Sequence, residues 1–447
     1  MKPNLSLPRA GTGTTTRWWL AGIILFGLAG WVVTGLQLYA RLAYLGLIFF
    51  GGAGILAVFS MRGIHLNRQA RILRAGMGEI FEEHFEVRNA TWPACLWLEI
   101  INRSNLPMAG GSRLLTGIGP HQRRFYTART LLNQRGAFLL GPTSMASGDP
   151  FGLFTIRRQI PAKDTLVVLP MTVPITDFPP PRGLLPGGKT IRLRTSDVTP
   201  NAAGVREYAP GDPMKRIHWP STAHRGRFMV KEFEQDPQAD IWLFLDAQQE
   251  VQASLQEPAT AFGGESWWLR RPIVALPRDS FEYAICAAAS LANYFLMERQ
   301  AVGLACAAGR STVVSAERGE RQINKIMETL AFLQADGRMP LLGLVTMRAK
   351  LLPIGTGVIL ITSSTQPELL LAVEDLQRRN LRPVVVLIKA ETFGGTGESG
   401  SVITGLLHRN VPVCPVGFSD DLSVKLAFPV TYFLRPYLPK SYFNVRV

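Results

Sequence analysis

The chain opens with two stretches in which no polar/apolar alternation appears at all. Trp18 to Leu36 (WWLAGIILFGLAGWVVTGL) and Leu42 to Met61 (LAYLGLIFFGGAGILAVFSM) carry no charge. Each is close to the roughly 20 residues that an α-helix needs to cross a hydrocarbon core of about 30 Å. Gln37 to Arg41 separate them, which predicts a tight helical hairpin, and Gly46, Gly51, Gly52 and Gly54 permit close helix approach. From Met77 to Thr176 the pattern changes to short apolar runs (Phe85 to Val87, Leu96 to Ile101, Phe138 to Leu140, Thr165 to Leu169). Asn105, Gly110-Gly111, Arg135-Gly136, Gly141-Pro142 and Asp149-Pro150 punctuate them. Many strands, frequent turns and no helical period predict an antiparallel β-sandwich over 77–176.

Residues 177–236 are rich in proline and glycine and read as a linker that carries a distinctive charged segment. Beyond it, 237–430 alternate strand-like and helix-like runs. Strands are expected at Asp240 to Leu245, Val302 to Ala308, Val358 to Thr362, Val384 to Ile388 and Val411 to Val416. Helices are expected at Ser280 to Gln300, Arg321 to Leu333 and Pro367 to Arg379. Such alternation predicts a doubly wound α/β domain whose ligands would bind at the carboxyl ends of the strands. Gln248 to Pro277, with Trp267-Trp268 and Arg270-Arg271, would be inserted near that edge. The fold class is therefore multidomain, with residues 1–17 leading into helices at 18–36 and 42–61, and a tail at 431–447.

Charge then orients the hairpin. Lys2, Arg9 and Arg17 precede the first run, and Arg62, Arg68, Arg71 and Arg74 follow the second, while the connecting loop holds only Arg41. The positive-inside rule predicts a two-pass protein of the inner (cytoplasmic) membrane with both termini in the cytoplasm. A signal peptide cleaved near Ala40 is the alternative, and Arg62 to Arg74 oppose it because they resist translocation. Over the chain 48 basic residues face 33 acidic ones, a net charge of +15 that favours anionic partners. The four cysteines, Cys95, Cys286, Cys306 and Cys414, form no CxxC pair, which excludes a disulfide scaffold, a cysteine-rich zinc module and a thioredoxin-type site.

Gly183 to Thr190 (GLLPGGKT) satisfies the GxxxxGK[ST] spacing of a phosphate loop, and Ile241 to Asp246 has the form of its partner strand. The chemistry requires a buried strand before the loop and a helix after it. Phe178-Pro179-Pro180-Pro181 precedes the loop and Ile191-Arg192-Leu193-Arg194 alternates like a strand after it, so the match reads as coincidence.

Gly204 to Trp219 (GVREYAPGDPMKRIHW), with Ala223-His224-Arg225 and Val230 to Glu234, is the most distinctive segment. With Arg135-Gly136, Gly141-Pro142 and Asp149 to Phe154 upstream, it resembles the bacterial family called domain of unknown function 58. The resemblance extends over nearly the whole chain. It implies a von Willebrand factor A-like C-terminal fold and pairing with a MoxR-type AAA+ ATPase and with transglutaminase-like membrane proteins. It implies no biochemical activity.

Read physically, Pro210-Gly211-Asp212 is a turn. Arg206, Glu207, Asp212, Lys215, Arg216, Arg225, Lys231 and Glu232 interleave opposite charges, Trp219, Phe228 and Phe233 supply the apolar side, and Tyr208 and Ile217 belong to the same signature. Two readings stay open: an ion-paired clasp on the α/β domain, and a docking face for a partner. Catalysis by Asp212 or His218 lacks a nucleophile and base pair, and His218 and His224 have no zinc-motif spacing.

The von Willebrand A resemblance implies a magnesium turn of the form DxSxS, whose positions here are Asp246, Gln248 and Glu250, with Thr362-Ser363-Ser364 where a later Asp is expected. With both serines replaced, the turn reads as a degenerate site holding no metal, and no cofactor is expected. The absence of HExxH, GxSxG and paired catalytic carboxylates favours a membrane-tethered adaptor over a membrane hydrolase or NTPase. Scattered basic residues without stacked aromatics argue against nucleic acid.

Overall fold

The computed structural model describes residues 13–178, 202–210, 214, 217–233, 240–255, 276–353 and 355–427. The phosphate-loop match, the Trp267-Trp268 insert, Gly211, Asp212, Lys215, Arg216 and both tails lie outside the described residues. The chain forms two compact units, one holding most residues up to Met171 and the other most of the remainder.

In the first unit, α1 (Gly13–Thr34) and α2 (Gln37–Arg62) pack as a hairpin, and both are long and apolar enough to cross a membrane. Glycine allows the approach: a Cβ on Gly27 would stand 2.9 Å from the Ala43 amide nitrogen, and one on Gly46 2.7 Å from Ile24. Elsewhere the helices present apolar side chains outward, with Trp18, Trp19 and Val33 about four-fifths exposed. The last turns of α2 differ, because Ala57, Ser60 and Met61 are buried.

Strands begin immediately after Arg62, earlier than the expected Met77. They are β1 (Ile64–Ala70), β2 (Arg74–Gly76), β3 (Ile80–Asn89), β4 (Cys95–Asn102), β5 (Arg113–Ile118), β6 (Arg123–Leu131), β7 (Gly136–Leu140), β8 (Thr143–Gly148), β9 (Thr155–Ile160) and β10 (Asp164–Leu169). They form sheets of order β1-β3-β6, β2-β10-β7 and β5-β4-β8-β9. One core joins inward residues of the first and last of these, Ile64, Phe85, Val87 and Tyr126 with Cys95, Leu98, Ile100, Ile118 and Met145. Strict alternation in β3 turns Phe81, Glu83, Phe85 and Val87 inward. Glu83 is tolerated there because Arg68 of β1 reaches it at 2.6 Å. Burial nonetheless pushes the Glu83 carboxyl above its ordinary range, against the pull of Arg68.

The second unit contains a hairpin of β11 (Ala202–Glu207) and β12 (Met229–Phe233), with the short α3 (Trp219–Arg225) between them. Its main body is a six-stranded mixed sheet built from β13 (Ile241–Leu245), β14 (Val302–Ala307), β15 (Ser311–Glu317), β16 (Gly357–Thr362), β17 (Arg382–Ile388) and β18 (Val413–Val416). The order is β15-β14-β13-β16-β17-β18, parallel except for the edge strand β15. Strands β14, β16 and β17 are almost wholly buried, the continuous apolar type that helices cover on both faces. The helices are α4 (Ser280–Met297), α5 (Glu320–Phe332), α6 (Leu341–Ala349), α7 (Glu368–Arg378), α8 (Ser399–His408) and α9 (Leu422–Ala427). Asp279 caps α4, its carboxylate accepting from the Phe281 and Glu282 amides at 2.8 and 3.3 Å.

Candidate functional site

The strand order reverses at β13, which lies between β14 and β16, so the crevice at its carboxyl end is where an open α/β sheet receives a ligand. Asp246 is the first residue beyond β13. Its amide continues the ladder to the Ile361 carbonyl at 2.9 Å, which holds the side chain at the sheet edge with only 2% exposed. One carboxylate oxygen accepts from the Gln248 amide at 3.1 Å, and the other from the Thr362 hydroxyl at 2.6 Å. The Thr362 oxygen accepts in turn from the Ser364 amide at 2.9 Å. Burial pushes the Asp246 carboxyl up to about 6, outweighing the two hydrogen bonds that favour its charged form.

A second layer surrounds it. Gln252 donates to the Asp246 carbonyl at 3.1 Å, and its own carbonyl oxygen accepts from Ser280 at 2.8 Å and Ser363 at 3.0 Å. The side-chain amide of Gln248 donates to Glu250 at 3.2 Å. The three expected positions are thus brought to one loop, joined by these two hydrogen bonds. Among the described residues no group of three or more His, Cys, Asp or Glu side chains is placed to hold a metal ion. Across the loop, Gly337 donates to the Ala247 carbonyl at 2.9 Å; a Cβ there would stand 2.1 Å from the Ala307 oxygen, so only glycine permits the approach. Sequence spacing does not indicate Gln252 or Ser280. The sole cue is Asp279, whose cap fixes where α4 begins and hence where Ser280 stands.

The signature segment lies on the β11–β12 hairpin. Arg206 and Glu207 pair in register with Val230 and Met229. Arg206 donates to the Glu207 carbonyl at 3.0 Å, and Glu207 meets Arg227 at 3.0 Å with both side chains more than three-fifths exposed, a pair that contributes little stability. The imidazole of His218 caps α3 through Ser221, while His224 and Arg225 are exposed in its last turn. Ile217, Met229 and Val230 are buried. Trp219 and Phe228, the apolar side of the segment, are 64% and 55% exposed, and Met214 is 72% exposed. A two-stranded hairpin and a seven-residue helix enclose too little volume for these side chains. Tyr208 touches Phe228 edge-on with ring centroids 6.2 Å apart, and Pro210 is exposed. Lys231 and Glu232 lie on β12, with side chains outside the described residues; the Asp212 and Arg216 partners of the expected clasp are also outside them.

Residues 204–258 match the family described as protein of unknown function DUF58, a span that joins the hairpin to Asp246 and its turn. The chain is similar to uncharacterized protein YeaD of Bacillus subtilis (strain 168), with 23% identity over 67% of this chain and 70% of that protein. Two solved structures align with shorter parts. The CARDB domain of a Pyrococcus furiosus protein, in complex with di-metal ions, covers 24% of this chain and 91% of its own at 12% identity and a TM-score of 0.18. The C-terminal domain of wzt covers 24% and 73% at 12% identity and a TM-score of 0.17. The signature match and the relative together support the DUF58 family for this chain.

Proposed function

We propose that this chain is a membrane-tethered, non-enzymatic adaptor whose signature hairpin docks a protein partner on the cytoplasmic side. The α1–α2 hairpin is the anchor, with both termini cytoplasmic as the basic flanks require. The β unit is a sandwich-type spacer, and the mixed sheet is a von Willebrand A-like module. The observation that carries the docking reading is the exposure of Trp219, Phe228 and Met214 on the family's own signature. Large aromatic side chains left in water beside a buried scaffold are the groups that anchor protein interfaces. The partner class is a MoxR-type AAA+ ATPase, with transglutaminase-like membrane proteins as further members of the assembly and no role for nucleic acid.

The test uses the full chain in lipid nanodiscs and the MoxR-type ATPase of the same organism. Replacing Trp219 and Phe228 together by Ala is expected to weaken capture about tenfold or more without lowering the melting temperature. Unchanged capture by the folded variant rejects this face. Saturable ATP binding by the adaptor alone, abolished by Lys189→Ala, rejects the non-enzymatic reading in favour of an NTPase.

A further inference from the structure

The loop after β8 satisfies its own backbone donors. Asp149 to Phe154 has a backbone whose every N–H is satisfied locally. The Asp149 amide donates to the Phe154 carbonyl, and the Gly152 amide to the Asp149 carbonyl. The amides of Phe151, Leu153 and Phe154 all donate to the Asp149 carboxylate, which is wholly buried. Pro150 has no N–H to satisfy. Trp97 donates to the Asp149 carbonyl at 3.2 Å. Irregular backbone open to lipid does not enter the hydrocarbon region, so this loop's backbone stays at the interface and only a side chain can reach deeper. Its side chains are the converse. Phe151 is 56% exposed, and it packs against Phe49 of α2 with ring centroids 4.5 Å apart.

Depth follows from the helices. The Phe154 ring lies 4.9 Å beneath the Arg17 guanidinium, and a Cβ on Gly54 would touch the same ring at 3.7 Å. Arg17 of α1 and Gly54 of α2 are therefore level with each other. Arg17 also donates to the Leu153 carbonyl. Thr16–Thr34, 19 residues, measures about 28 Å at 1.5 Å per residue, which fills the hydrocarbon core. The 26 residues of α2 measure about 39 Å, roughly six residues too many. That excess matches the segment from Ala57 to Arg62, where Ala57, Ser60 and Met61 are buried. Arg17, Trp18 and Trp19 thus mark the interface nearer the β unit, as a cation and an aromatic belt do. Phe49 lies five residues deeper than Gly54, about 7 Å into the bilayer, and Phe151 lies against it.

We propose that the Asp149–Phe154 loop is a second membrane contact, a wedge that inserts the Phe151 ring into the acyl region of the leaflet facing the β unit. The proposal rests on the hairpin anchoring the chain. With the wedge in place, the β unit is held to the bilayer at two points and cannot swing freely about α2.

Depth measurement by spin labelling tests this, with the full chain reconstituted in phosphatidylcholine–phosphatidylglycerol vesicles. The four native thiols are buried, so a nitroxide on an introduced cysteine is the reporter. Labels are placed at Phe151→Cys, at the neighbouring exposed Pro150→Cys, at Leu25→Cys on α1, and at Glu79→Cys. Glu79 adjoins the Ile80 end of β3, remote from Asn89, the end that pairs with Ile64 beyond α2. Oxygen is expected to relax the Phe151 and Leu25 labels strongly, with loss of collisions with the water-soluble nickel chelate, while the Glu79 label shows the reverse. The Pro150 label should fall between. Nickel access at both Phe151 and Pro150 equal to that at Glu79, with Leu25 still in lipid, overturns the wedge and leaves the anchor standing. Nickel access at Leu25 as well overturns the anchor, and the wedge with it.

Discussion

Replacing Asp246 by Asn isolates the cost of keeping a carboxylate at the buried edge of the sheet. The group is 2% exposed, and burial raises its pKa from 3.8 to about 6. The difference of about two units corresponds to roughly 3 kcal/mol. Below about pH 4 the carboxyl is protonated in both folded and unfolded chains, and the shift has no consequence. Between about pH 4 and 6 the folded state holds a proton that the unfolded chain releases, so stability falls as pH rises. Above pH 6 the full cost persists. The side chain of Asn fills the same space and has nothing to ionise. Any loss at the Thr362 or Gln248 contacts is independent of pH and appears as a constant offset. The stability of Asp246→Asn relative to the parent should therefore rise by about 3 kcal/mol from pH 4 to pH 7. For an α/β unit of this size that is about 6–12 °C in melting temperature. The assay is calorimetry or intrinsic fluorescence of both proteins in one detergent, across pH 4–7.5 with EDTA throughout. Other titrating groups, Glu83 among them, cancel in the difference. A difference flat across the window would refute the reasoning, since it would mean that Asp246 ionises as freely in the fold as in water.

Millimolar magnesium should leave the melting temperature of the chain unchanged, because a ligand that does not bind the native state cannot stabilise it; a rise of several degrees that Asp246→Ala abolishes would show a working cation site. Arg68→Met should destabilise the β unit by about 3–5 kcal/mol by leaving Glu83 buried without its partner, whereas Arg68→Met with Glu83→Leu should recover most of the loss in denaturant titrations. Asp279→Ala should cost about 1 kcal/mol through the lost cap of α4, measured the same way, and Asp279→Ser should restore most of it. A reporter fused after Val447 should behave as cytoplasmic, and export-dependent activity there would reverse the assigned orientation.

The buried strands and their helices were legible because their chemistry is uniform along the chain. Val302–Ala307, Gly357–Thr362 and Arg382–Ile388 are short, mostly apolar runs, the pattern of strands buried on both faces. Glu368–Arg378 carries the helical period and ends where the sequence indicated. Elements with mixed surroundings were missed. The edge strand β15 is half exposed, so its apolar residues are few, and α8 is masked by its glycines and serines. The strand β1 was hidden for another reason. Its one arginine, Arg68, read as part of the flank of a membrane span, whereas it turns inward to a glutamate that no local pattern links to it.

The same division explains the site. Asp246 was singled out through the resemblance, which implies a site turn directly after the first strand of the α/β unit. Thr362 was placed there by the same resemblance, but Gln252 and Ser280 were not, because Ser280 meets Asp246 only through Gln252, a contact between separate stretches of chain that exists only in the folded unit. A serine in the turn would place a short hydroxyl beside the carboxylate. Gln248 instead swings to Glu250, and the hydroxyls of Ser280 and Ser363 meet on Gln252. Side-chain hydrogen bonds from the loop after β13, from β16 and the turn after it, and from α4 thus meet at this end of the sheet. In the proposed reading recognition falls to the hairpin, where Trp219 and Phe228 are exposed while Ile217, Met229 and Val230 are buried.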